Sequence, residues 1–256
     1  MTSQPLHGLR VIELCQGIAG PWAGRLLAGY GADVIKVEPP EGDRSRALGP
    51  FPTDDPNPET GALHLHLNTG KRSIVGSVGD ELVDRLIAGA DIVLQSSADL
   101  DPDTIEDTHP GLVLVTITSF GLTGSYNWCR GEEIVHYAIG GPMSATGDPD
   151  REPLKMGGDI GQYQCGSLAA TATLAALASQ QRNGRSIHVD MSNVDTQITS
   201  IDRRMTFLLY NAYRGENVPR SGGYSTSIFP GGCRPALNGH VQVSTLMNWL
   251  PRMVAV

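Results

Sequence analysis

Two short apolar runs open the chain, with a helical stretch between them. RVIEL (10–14) and ADVIKVE (32–38) are rich in β-branched residues, and each predicts a buried strand. Between them, CQGIAGPWAG is a glycine-rich turn entering a helix. Pro21 suits the first helical turn, where its missing N–H costs nothing. GRLLAGYG carries the helix to a stop at Gly31. Strand, helix and strand in about thirty residues make the βαβ unit of a parallel sheet.

The alternation continues. Residues 39–61, rich in Pro, Gly and Asp, have little periodicity and predict a long loop of the kind that often covers a site. RSIVGSV predicts a third strand. DELVDRLIAGA predicts a helix starting at Asp80, with Leu82, Leu86 and Ile87 as its apolar stripe. DIVLQ and GLVLVTITSFG predict two buried strands around a short acidic helix at 103–108. Helices are expected over 132–139 and over 161–181, the latter rich in small residues. RSIHVDMS follows as a strand, and then a long helix from Asn193 to Tyr213. After Gly215 turn signals surround a short strand, followed by an amphipathic run without a cap. The apolar ending Met253-Val254-Ala255-Val256 suggests a chain cut short. The expected class is α/β, in two parts: a domain over 1–214, and 215–256 as a linker and the start of a second domain.

Composition narrows the partners. A formal charge of −8 argues against nucleic acid, which needs clustered Lys and Arg, although Lys71-Arg72 could still meet a local anion. Cys15, Cys129, Cys165 and Cys233 are scattered without a C-x-x-C pair, which predicts free thiols in a reducing compartment and no zinc site. No secretory signal and no apolar run of membrane-spanning length stand in the sequence, so a cytoplasmic protein without a membrane partner is expected.

Several motifs admit both a chemical and a simpler structural role. HLNTGKRS lacks the P-loop pattern, because Leu65 and Arg72 stand where Gly and Ser or Thr are required. It reads as a solvated turn or as an anion-binding loop. His64 and His66, alternating on a strand, lack acidic or Cys partners for a metal. His136 lies one helical turn beyond Glu132, giving either an acid–base pair or a packed histidine. No G-x-S-x-G elbow is present. GIAGPWAG could close on a phosphate through its N–H groups or serve tight helix–strand packing. Asp159, just before the long helix and among Gly157, Gly158 and Gly161, fits an N-cap worth about 1 kcal/mol. It also fits an ionised carboxylate in a niche open to a bulky substrate.

Taken together, GLRVIELCQGIAGPWAGRLLAGYGADVIKVEPPEGD, LNTGKRSI, ADIVLQ, ITSFGLTGSY, GGPMSATGDPDREPLK and RNGRSIHVDMSNVD resemble class III CoA-transferases, in that order and over nearly the whole chain. This is the carnitine-dehydratase/bile-acid-inducible F family, with formyl-CoA transferase and 2-methylacyl-CoA racemase relatives. The resemblance implies a Rossmann-like parallel sheet flanked by helices, interlocked homodimers, and acyl-CoA and a small carboxylic acid as partners. It implies coenzyme A as the bound cofactor, with no metal. It further implies covalent catalysis by an Asp carboxylate, through a mixed anhydride and an enzyme–CoA thioester.

On transferase spacing, Gln162 occupies the position of that Asp. On racemase spacing, Gly158-Asp159-Ile160-Gly161 matches, which leaves Asp159 as the available nucleophile. Glu132 falls where the racemases carry a His, and it could act as a base only if burial raised its pKa. The loop QSSADLD replaces the family's Asn-Phe-x-Pro-Gly and is more acidic. The family's CoA contacts fall on Ile18, Ala19, Leu67, Asn68, Lys71, Arg72 and Arg130. Three readings stand: exchange of CoA between an acyl-CoA and a carboxylic acid with Asp159 as nucleophile; a non-catalytic CoA-binding or assembly subunit marked by Gln162; and an acyl-CoA racemase or isomerase using Glu132 and Asp159.

Overall fold

In the computed structural model, residues 4–53, 55–199, 204–217, 220 and 232–243 are described. Six strands form one sheet: β1 (Arg10–Glu13), β2 (Asp33–Glu38), β3 (Arg72–Val75), β4 (Ile92–Gln95), β5 (Val113–Thr118) and β6 (Ile187–Ser192). Their order is β3-β2-β1-β4-β5-β6, and every pairing is parallel. This is the doubly wound, Rossmann-type order, which reverses direction between β1 and β4.

Successive residues of a strand face opposite sides, and here both sides are covered. Val11, Ile92, Leu94, Val113 and Val115 pack with Ala23 and Leu27 of α1 (Ala19–Gly29) and with Cys165, Ala169 and Leu177 of α6 (Ile160–Asn183). Ile12, Val93 and Leu114 join Val83 and Ile87 of α3 (Glu81–Ala88) and Ile105 of α4 (Ile105–Thr108) on the other side. That double burial is why the strands read as unbroken apolar runs. The remaining helices are α2 (Ala62–Asn68), α5 (Glu133–Ile139), α7 (Asn193–Ile198) and α8 (Arg204–Arg214).

Helix α1 and helix α6 meet through glycine. A methyl group on Gly166 would collide with the carbonyl oxygen of Ala19 and crowd Trp22, while one on Gly20 would collide with Cys15. The glycines of GIAGPWAG therefore serve close packing. Helix α6 ends at Gly184, whose φ of +68° is the left-handed cap that glycine adopts without a Cβ penalty.

The chain divides into two compact units, residues 1–136 with 158–197, and residues 137–157 with 198–256. The first contains the sheet. In the second, a 3-10 turn covers Pro142–Ala145, and β7 (Gly232–Ala236) pairs antiparallel with β8 (Gly239–Val243). Arg220 closes the turn at 148–151 by donating to the carbonyl oxygens of Asp148 at 3.1 Å, Pro149 at 3.2 Å and Arg151 at 2.9 Å.

Several expectations change. The loop expected over 39–61 contains a 3-10 turn at Arg44–Ala47, started by Asp43, whose carboxylate accepts from Ser45 N–H at 2.7 Å. His64 and His66 lie on α2, not on a strand; seven alternating residues were too few to separate the two periods. In α3 the buried pair is Val83 and Ile87, while Leu82 is exposed. The long helix expected from Asn193 to Tyr213 is two helices, α7 and α8. The amphipathic run and apolar ending after 243 lie outside the described residues.

Candidate active-site cleft

An open cleft of about 810 Å³ lies at the carboxyl ends of the strands, where the order reverses. Open α/β sheets bind ligands at this switch point because neighbouring loops leave the sheet in opposite directions there. One wall comes from the segment after β1, with Gln16, Ala19 and Gly20. Another comes from Ser96–Asp99 after β4, and a third from Ile117–Ser119 and Asn127–Glu132 after β5. Val37 and Pro39 at the end of β2 and Gly76, Ser77 and Val78 after β3 form a further wall, and His136, Gln162, Asn193 and Arg44 also line the cleft.

The sequence candidates separate. Ala19, Arg130, Glu132 and Gln162 line the cleft. Ile18 is buried at the N-cap of α1, adjacent to the lining rather than within it. Gln162 is 9% exposed, and its carboxamide has no hydrogen-bond partner among the described residues. Asp159 is half-buried at the N-cap of α6 and outside the cleft lining. Its side chain makes no cap hydrogen bond. The donor it would have met is taken from elsewhere: Gly161 N–H donates to Glu133 Oε1 at 2.7 Å, and Gln197 Nε2 donates to Gly161 O at 3.3 Å. Gly161 has no side chain because both partners stand where one would go. The Asp159 carboxylate instead acts on Tyr163, whose pKa is raised first by burial and then by that charge.

Leu67, Asn68, Lys71 and Arg72 do not reach this cleft. Leu67 is fully buried. Asn68 donates to His64 O at 3.0 Å and accepts from Lys71 at 2.9 Å. Lys71 is buried and pairs with Glu13 Oε2 at 2.7 Å while donating to Pro21 O at 2.7 Å. It is therefore no solvated cation. Lys36 Nζ meets Glu13 Oε1 at 2.8 Å and Asp43 Oδ2 at 2.7 Å, which makes a four-charge cluster beneath the loops. Burial would raise the pKa of Glu13 and Asp43, but the lysines hold both below their ordinary values. Burial pushes Lys71 down. Arg72 is at the amino end of β3, where it forks onto Asp33 with Nε at 3.0 Å and Nη2 at 2.6 Å from its oxygens. That is the end of the sheet opposite the cleft.

Gln16, Arg44, His136 and Asn193 also line the cleft, and of these the sequence singles out His136 alone. Arg44 lies over Gly17, where a Cβ would be 2.6 Å from its guanidinium. Neither Arg44 nor Arg130 has an ion-pair partner among the described residues. His136 is 3% exposed, and neither ring nitrogen has a partner among them. Gly131 lets it lie close, since a Cβ there would be 2.5 Å from Nε2. Burial pushes its pKa down, opposed by Glu132, so the ring is held neutral. Asn193 Nδ2 donates to Thr118 O at 3.1 Å, which fixes the amide and leaves Oδ1 buried without a partner. Cys129 lines the cleft half-exposed. The position of Arg44, after β2 in a fold with this switch point, was the available signal for it.

Among the described residues no group of three His, Cys, Asp or Glu stands together to hold a metal ion, and no helix is long and apolar enough to cross a membrane.

Comparison with known proteins agrees with this architecture. A family model described as CoA-transferase family III matches residues 6–250. The chain is 37% identical over 250 residues to succinate–glutarate CoA-transferase of Agrobacterium fabrum, covering 92% of this chain and 62% of the relative. It is 32% identical over 260 residues to succinyl-CoA:mesaconate CoA-transferase of Haloarcula marismortui, covering 95% and 64%. A crystal structure of a CAIB/BAIF family protein from Brucella suis superposes with a TM-score of 0.84 at 35% identity, covering 93% of this chain and 65% of that one. The chain thus spans less than two thirds of the length of these relatives.

Proposed function

The chain belongs to CoA-transferase family III, and on that premise we propose that it moves coenzyme A from an acyl-CoA thioester to a free carboxylic acid. The observation that supports this is the open cleft at the switch point, with two unpaired guanidinium groups and four neutral amides, of Gln16, Asn127, Gln162 and Asn193, in its lining. Arg44 and Arg130 suit phosphate or carboxylate oxygens. Gln16, Gln162 and Asn193 suit carbonyl and amide groups. The start of α1, at Ile18 and Ala19, adds backbone N–H groups to the same wall. The names of the relatives, succinate–glutarate and succinyl-CoA:mesaconate, suggest dicarboxylic acids on both sides of the exchange. The homodimer implied by the family remains part of this proposal.

Covalent catalysis by Asp159 requires its carboxylate to enter a cleft that Gln162 lines. The alternative is a CoA-binding chain without exchange, marked by Gln162 in the lining. One assay separates the two. Incubation with succinyl-CoA and glutarate should yield glutaryl-CoA and succinate in equal amounts, followed by mass spectrometry. Binding of succinyl-CoA without either product would leave the second reading. Wash-in of deuterium at the α-carbon, which racemisation requires, is expected to be absent.

A further inference from the structure

The wall of the cleft after β4 is an arch of four exposed residues, Ser96, Ser97, Ala98 and Asp99, between two buried ones, Gln95 and Leu100. Gln95 ends β4 with none of its surface exposed. Its Oε1 accepts from Leu100 N–H at 2.9 Å, and its Nε2 donates to Leu100 O at 3.0 Å. The side-chain amide thus meets both backbone groups of one residue, as a neighbouring strand would, and pins the far foot of the arch to its start. Nε2 also donates to Thr116 Oγ1 at 3.0 Å, and Thr116 stands opposite Gln95 in the β4–β5 register. Thr116 is itself fully buried and bonds His188 Nε2, on β6, at 3.0 Å. The direction of the amide is thereby set from three strands. Strand positions in a sheet covered on both faces are ordinarily apolar. Leu100 already sits in the apolar cluster with Ile105 and Leu114, so the core has no need of an amide at 95. The arch has that need.

Building on the transferase reading above for the identity of the ligand, we propose that Gln95 is a positioning residue for acyl-CoA, holding the arch 96–99 in the shape that the ligand meets on entering the cleft. It touches no reacting atom. Without the clamp, the buried backbone groups of Leu100 lose their partners and the four arch residues sample other shapes. Apparent affinity then falls by the fraction of time the arch is competent, while a substrate once bound reacts as before.

The test is calorimetric binding of succinyl-CoA beside steady-state kinetics with glutarate, on the unaltered chain, Gln95→Leu and Gln95→Glu, each below its melting temperature. Gln95→Leu should raise Kd and KM for succinyl-CoA about tenfold and leave kcat within about twofold. Loss of stability alone gives the opposite split, a lower kcat from fewer active molecules at unchanged KM. Gln95→Glu keeps an acceptor for Leu100 N–H, and its protonated form has an O–H to donate to Leu100 O. Burial favours that neutral form. Its Kd, divided by that of the unaltered chain at the same pH, should therefore approach one as pH falls from about 8 to about 6, while the ratio for Gln95→Leu stays flat. An unchanged Kd in folded Gln95→Leu, or a loss confined to kcat, overturns the proposal. Where Gln95→Leu does not fold, a Gln95→Glu ratio that stays raised at every pH overturns it. Kd decides the matter even where no exchange occurs. Failure of the unaltered chain to bind succinyl-CoA defeats the CoA reading itself, a distinct result.

Discussion

Lys36 sits between Glu13 and Asp43 with almost no exposed surface. Buried ion pairs contribute little as pairs, yet removing one partner strands the other charge. Lys36→Met is therefore expected to lower unfolding stability by about 3–5 kcal/mol, measured by urea denaturation. The start of α6 makes a finer contrast. Glu133 accepts from Gly161 N–H, while Asp159 holds the cap position without capping. Glu133→Ala should cost about 0.5–2 kcal/mol and Asp159→Ala distinctly less, and the reverse order would refute this account of the helix start. The sequence offers Asp159 either as the cap or as an ionised carboxylate in a niche, because an acidic residue among glycines before a helix fits both. An acceptor supplied from another helix leaves no local signature.

At the level of elements, the α1–α6 contact depends on the absence of a side chain at Gly166. Alanine is usually the better helix residue. Gly166→Ala should nonetheless destabilise by about 1–3 kcal/mol, because the neighbour it meets is backbone and cannot yield. A thermal melt of the variant checks this. The strands were legible in advance because burial on both faces writes β-branched runs that survive without context. Helix α2 was not, since its seven residues alternate in polarity and its buried side, His64 and Leu67, is half polar. His64 is accommodated by Ser45 Oγ at 2.9 Å, a partner nineteen positions away in sequence. Likewise Lys71 reads as a solvated or anion-binding cation because its counter-charge, Glu13, lies far off in the sequence on β1.

For the molecule as a whole, the carboxylates that tie the loops to the sheet decide its acid behaviour. Burial opposes ionisation of Glu38, but its fork to Arg46 at 2.7 and 2.9 Å and its bond to Ser73 bring its pKa down to about 2. Glu13 and Asp43 are shifted in the same direction. A carboxylate depressed in the folded state contributes stability that is complete above its unfolded value, about 4. That stability is lost as pH falls toward the folded value. The urea midpoint should therefore hold from neutral pH to about 5, then fall steeply toward pH 2. A midpoint flat across that acid range would refute the assignment. The cleft was legible only in part. Family motifs located its walls, but a candidate reaches the cleft only from the carboxyl end of a strand, and that separates Arg72, the first residue of β3, from Arg130, after β5.

The cysteines give the cleft a built-in optical handle. Cys15 and Cys165 are buried, with the Cys165 thiol pushed up to about 11 by burial, whereas Cys129 lines the cleft half-exposed. With Cys233 replaced by serine, a maleimide dye should attach at one place, on the wall that a ligand must pass. Saturating succinyl-CoA should slow that labelling, so occupancy can be read as fluorescence with no turnover required.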